Sequence, residues 1–127
     1  VILVDSDVLI AHLRGVDAAR DWLVDARRRT GPLAVSVVSI AEIGRGMRSG
    51  ERLEVTRLLG SLQPMPVDAS VAWRAGEFRR EYRRSHAAIG TADYLIAACA
   101  DVHGCELATL NVKHFPMFEG LEPPFTF

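Results

Sequence analysis

Three acids in this chain stand at the junctions of apolar runs rather than on polar helix faces: Asp5, Glu42 and Asp93. Asp5 closes the run Val1-Ile2-Leu3-Val4, Glu42 lies a turn beyond a second apolar run, and Asp93 follows the break at Ile89-Gly90. Asn111 comes directly after a third run. Each acid has a local explanation. Asp5 or Asp7 can cap a helix, Ser39-Ile40-Ala41-Glu42 matches a capping box, and Asp93 suits the positive end of a helix. Brought together, they make different chemistry. Two carboxylates ~5 Å apart repel by roughly 3 kcal/mol at an effective dielectric near 20. Three without a cation force at least one to keep a proton. Mg²⁺ or Mn²⁺ removes that penalty, and hard oxygen ligands suit both ions. A metal held this way polarises a phosphodiester and activates water for in-line attack.

For these groups to converge, the chain must place them on one edge of a sheet. Residues 1–5 predict a strand buried on both faces, followed by a short helix through Leu13 that stops near Gly15. Ala18, Trp22, Leu23 and Ala26 recur at helical spacing over Asp17 to Arg29, opposite Asp17, Asp21 and Asp25. Leu33 to Val38 predicts a second strand, with a helix starting at Ser39 and another over Glu51 to Leu62. Pro64-Met65-Pro66-Val67 suits only an edge strand, because proline donates no ladder hydrogen bond. A long helix is expected over Ala69 to Arg84, a helix capped by Thr91 after it, and a last strand over Glu106 to Leu110. Strands alternating with helices imply a three-layer α/β/α sandwich with a mainly parallel sheet, whose carboxyl edge is where ligands bind.

The 127 residues suit one domain spanning 1–127. Composition is that of a globular protein, 49% apolar and 24% charged, and the net charge of −1 points to no particular partner. Fourteen of the fifteen basic residues are arginine; Lys113 is the exception. Cys99 and Cys105 form no CxxC pair, so no disulfide is required and a cytoplasmic setting is expected. No apolar run approaches the roughly 20 residues that span a bilayer.

Four segments in order carry a resemblance. Val4-Asp5-Ser6-Asp7-Val8-Leu9-Ile10, Ser39-Ile40-Ala41-Glu42, Thr91-Ala92-Asp93-Tyr94-Leu95-Ile96-Ala97-Ala98 and Ala108-Thr109-Leu110-Asn111-Val112-Lys113-His114-Phe115 together resemble PIN-domain nucleases. Their order, spacing and total length are most similar to the VapC-type toxins of bacterial toxin–antitoxin pairs. The resemblance implies a PIN-like fold and an endoribonuclease dependent on Mg²⁺ or Mn²⁺. It also implies a homodimer held inactive by a cognate VapB-type antitoxin. By position, Asp5, Glu42 and Asp93 look like the metal-binding acids, Ser6 orients a water or a carboxylate, and Thr91 supports Asp93. Asn111 falls where many relatives have a fourth acid, which weakens a second metal site.

Other readings compete. Asp5-Ser6-Asp7 fits the DxD opening of haloacid-dehalogenase-like phosphatases, but the later acidic pair and lysine those enzymes need are not evident. A receiver domain lacks its phosphoryl-accepting aspartate, since residues 26–67 contain none. A PIN-like module that binds RNA or protein without cutting is favoured by Asn111. Cys99, His103, Cys105 and His114 match no ordinary zinc spacing. Arg79, Arg80, Arg83, Arg84 and His86 end the long helix and, with Lys113, are candidates for RNA contact; a solvated face is the simpler account.

Overall fold

A computed structural model, described over residues 1–126, shows four strands and six α-helices, with a pair of helices between each strand and the next. The strands are β1 (Ile2–Val4), β2 (Ala34–Ser36), β3 (Gln63–Met65) and β4 (Glu106–Ala108). The helices are α1 (Ser6–Leu13), α2 (Asp17–Thr30), α3 (Val37–Gly46), α4 (Arg52–Gly60), α5 (Ala69–Tyr82) and α6 (Thr91–Val102). Two 3-10 turns, Ser49–Glu51 and Val112–His114, complete the described elements.

All strand pairs are parallel and the order is β3-β2-β1-β4. The chain therefore builds outward from β1 through β2 to β3, then returns to the far side of β1 to lay down β4. That reversal puts a crevice between the carboxyl ends of β1 and β4, where such sheets bind ligands. The alternation of side chains along each strand divides the interior into two cores. Leu3, Ala34 and Leu107 face the core made with α5 and α6, including Phe78, Tyr94 and Ile96. Ile2, Val4, Val35 and Ala108 face the other, with Val8, Leu9, Leu23, Ile43 and Val55. This is the expected three-layer arrangement. β3 is an edge strand, as Pro64 requires, and is anchored by the Gln63 N–H donating to the Leu33 carbonyl at 2.8 Å.

Two helix starts differ from expectation. The second strand ends at Ser36, and α3 begins at Val37 rather than Ser39. Ser36 supplies the cap, its hydroxyl accepting from the Val38 N–H at 3.1 Å. Ser39 is instead fully buried inside the helix, so Glu42 stands in mid-helix and belongs to no capping box. At α6 the cap is Gly90, not Thr91, which is the first helical residue. Cys99 lies in the core, wholly buried, whereas Cys105 is half-buried; both are free thiols. Of the aromatics on α5, Phe78 is buried, while Trp73 is 77% exposed.

Candidate active site

Asp5 is fixed by the sheet and by a helix at once. Its N–H donates to the Ala108 carbonyl at 2.9 Å, continuing the β1–β4 pairing. Its Oδ1 accepts from the Ser6 N–H at 2.8 Å, capping α1. Its Oδ2 accepts from the Thr109 hydroxyl at 2.7 Å, and the whole residue is 5% exposed. The Thr109 oxygen also lies 3.3 Å from Asp7 Oδ2, but its one proton serves the shorter contact to Asp5. Asp7 Oδ2 accepts from the Leu110 N–H at 3.0 Å, and Thr109 Oγ1 accepts from the Asn111 N–H at 3.1 Å. The segment after β4 thus holds two carboxylates at the crevice between β1 and β4, Asp5 through the Thr109 hydroxyl and Asp7 through the Leu110 amide.

That placement is costly to charge. Burial first, and then the neighbouring Asp7, push the Asp5 carboxyl from 3.8 up to about 7; Thr109 and the Ser6 amide pull it back, and Glu42 adds to the rise. Asp7 is raised as well, by burial, against the pull of the Leu110 and Val8 amides. Its Oδ1 is buried without a hydrogen-bond partner among the described residues. Glu42 approaches from α3, its Oε1 accepting from the Ser6 hydroxyl at 3.3 Å. Ser6 therefore steers a carboxylate.

Asp93 occupies a second part of the site. At the third position of α6, its Oδ2 accepts from the Gly90 N–H at 3.4 Å and lies 3.0 Å from His114 Nδ1. Both side chains are about a quarter exposed, at 26% and 27%. Among the described residues Asp93 shares no hydrogen bond with Asp5 or Glu42, and Thr91 makes none to Asp93. The two parts are joined by the segment after β4, with Thr109 on Asp5, Asn111 next, and His114 on Asp93. No three acid, histidine or cysteine side chains among the described residues form a closed metal cluster. Arg79, Arg80, Arg83, Arg84 and Lys113 are exposed and make no ion pair with these acids.

Thr109, Asp7 and His114 are the members that sequence reasoning undervalued. Their signal was present, because all three fall within the segments Val4 to Ile10 and Ala108 to Phe115.

The PIN domain family profile matches residues 2–116, almost the whole chain. The chain belongs to the PIN-domain family. Within it, the domain is 67% identical over 124 residues to Ribonuclease VapC10 of Mycobacterium tuberculosis, covering 98% of this chain and 92% of that one. It is 36% identical over 123 residues to Ribonuclease VapC19 of the same species, covering 97% and 98%. A chain of a toxin–antitoxin complex from Klebsiella pneumoniae superposes with a TM-score of 0.80 at 26% identity, with full coverage of both. FitAcB from Neisseria gonorrhoeae gives 0.69 at 27% identity, covering 91% of each chain. No helix of this PIN domain, among the described residues, is long and apolar enough to cross a membrane.

Proposed function

We propose that this PIN domain is an endoribonuclease toxin, cutting RNA phosphodiester bonds with water under Mg²⁺ or Mn²⁺ and restrained by a VapB-type antitoxin. The observation that carries the reading is the buried carboxyl of Asp5, raised to about 7 beside Asp7 and Glu42 at the open end of the sheet. A folded protein that gathers anions where they resist ionisation has a use for a cation there. Similarity at 67% to a chain named as a ribonuclease supports the same conclusion.

The donor set fits a hard divalent ion. All the candidate ligands are oxygens, and the orphaned Asp7 Oδ1 is one more acceptor left without a donor. Mg²⁺ keeps several waters and is commonly bound through one or two carboxylates, so a closed cage of three is not required. Asp5, Glu42 and Asp93 would hold the ion, with Asn111 completing the pocket. The bound ion would lower the pKa of a coordinated water and neutralise charge building on the phosphate.

The protein's own groups do the positioning. Thr109 and the Ser6 amide use one lone pair on each Asp5 oxygen and leave the other free. The Ser6 hydroxyl turns Glu42 toward the same edge. His114 Nδ1, 3.0 Å from Asp93 Oδ2, holds that carboxylate in place. Burial of Asp5 and Thr109 keeps the dielectric low around that one carboxylate.

The test is single-turnover cleavage of a labelled RNA with Mg²⁺, Mn²⁺ or EDTA. Wild type should cut only with metal, while Asp5→Asn and Asp93→Asn lose at least about a hundredfold with the fold retained. Metal-independent cutting, or full activity in both variants, refutes the reading. An intact substrate under every condition would select the non-cleaving module instead. The phosphatase alternative finds no support, since the PIN profile extends through residue 116 rather than stopping at the opening motif.

A further inference from the structure

Glu42 lines a small cleft of about 90 Å³ between α1 and α3, together with Arg14, Gly46 and Glu51. A second, polar cleft of about 290 Å³ is lined by Arg14, Gly46, Arg48 and Glu51. Three residues are shared, so the two adjoin as one trough, walled by Ile10, Leu13, Ile43, Met47 and Val55 at its Glu42 end and polar at its Arg48 end. Arg14 caps the C-terminus of α1, and Arg48 lies two residues beyond the end of α3.

Both guanidinium groups are exposed, and neither makes an ion pair or a side-chain hydrogen bond among the described residues. Glu51, the acid that shares this lining, is turned to the backbone, its Oε1 accepting from the Arg48 N–H at 3.1 Å. Neither guanidinium donates to a terminal carbonyl, so the helix ends act on them only through the dipole and leave their donors free. The carbonyl ends of α1 and α3 are negative, so without these arginines the trough would repel an anion. With them it offers two planar forks of the kind that grip phosphate.

We propose that Arg14 and Arg48 bind the phosphate of the nucleotide adjoining the cleaved bond on the Glu42 side, so that the RNA strand crosses the α1–α3 edge of the sheet. This rests on the nuclease reading and assigns its strand path. The arginines at the end of α5 are then not required for grip near the scissile bond.

The experiment measures cleavage of a short single-stranded RNA by the intact chain at several KCl concentrations. The variants are Arg14→Ala, Arg48→Ala, the double variant, and Gly46→Glu. A Cβ at Gly46, itself a trough residue, meets nothing within 4 Å, so the backbone there accepts a side chain. Arg52→Ala, exposed on α4 and outside the trough, is the control.

The double variant and Gly46→Glu should raise KM about tenfold with kcat within about twofold, and the log–log salt slope should fall by about one to two in the double variant. A methylphosphonate next to the cleaved bond should cost wild type a similar factor and the double variant little. Unchanged KM and salt slope, or a fall in kcat at constant KM, overturns the proposal. Fluorescence anisotropy of labelled RNA on the Asp5→Asn protein separates the two readings. Binding indifferent to Arg14 and Arg48 removes the trough, whatever wild type cleaves. Arginine-dependent binding by a wild-type chain that cuts nothing removes the nuclease reading and keeps the trough as an RNA site.

Discussion

Replacing Asp5 with asparagine should make the metal-free protein more stable at alkaline pH, although it removes a central group of the site. The wild-type carboxyl titrates at 3.8 when unfolded and at about 7 when folded. Between those values the native state holds a proton that the unfolded state has released, so stability falls as pH rises, at ~1.4 kcal/mol per unit. The loss accumulates to about 4 kcal/mol and is complete above the folded pKa. Solvent screening gives little relief, because the residue is 5% exposed. Asparagine cannot ionise and keeps the shape. Its cost is one reorganised contact, since Thr109 must accept from the new amide N–H and turn its own proton toward Asp7, 3.3 Å away. That costs about 1 kcal/mol.

Asp5→Asn should therefore exceed wild type by about 3 kcal/mol at pH 8 and fall short by about 1 kcal/mol near pH 3. Urea unfolding in EDTA, followed by circular dichroism across that range, gives both curves. Adding Mg²⁺ at pH 8 should raise wild type and leave the variant where it was. A variant less stable at pH 8, or a gap that does not change with pH, would show that Asp5 is not held as described.

Three further outcomes follow from the same geometry. Thr109→Val deletes the hydroxyl serving Asp5 and should cost ~1–3 kcal/mol at pH 8 and less near pH 4, by the same urea titration. Asn111→Asp adds a carboxylate beside the site and should lower the Mg²⁺ concentration for half-maximal cleavage several-fold, while reducing metal-free stability; isothermal titration and thermal melts read the two effects. Ser36→Ala removes the cap of α3 and should cost about 1–2 kcal/mol in denaturant, with Glu42 losing its position and cleavage falling alongside.

The frame of the site was legible because it rests on local patterns. Four aliphatics ending at Asp5 announce a buried strand and its stop, and Pro64 places its strand at an edge. The start of α3 was not legible, since Leu33 to Val38 is apolar except for Ser36 and such a run reads equally as strand or as the first turn of a buried helix. Ser36 decides the matter only once its hydroxyl is seen on the Val38 amide. The Thr109–Asp5 bond joins residues 104 positions apart, so neither sequence neighbourhood reveals it. The pairing of Asp93 with His114 is hidden for the same reason. A carboxylate at a helix start looks complete as a macrodipole partner until the imidazole appears beside it.

The contrast between the two thiols gives the molecule an internal clock. Burial pushes the Cys99 thiol up and shields it fully, so a soluble alkylating reagent reaches it only when α6 leaves the sheet. Cys105, half-buried just beyond that helix, should react first and report local fraying. Mass spectrometry of the singly and doubly modified chains would then time the opening of the layer that carries Asp93 without any introduced label.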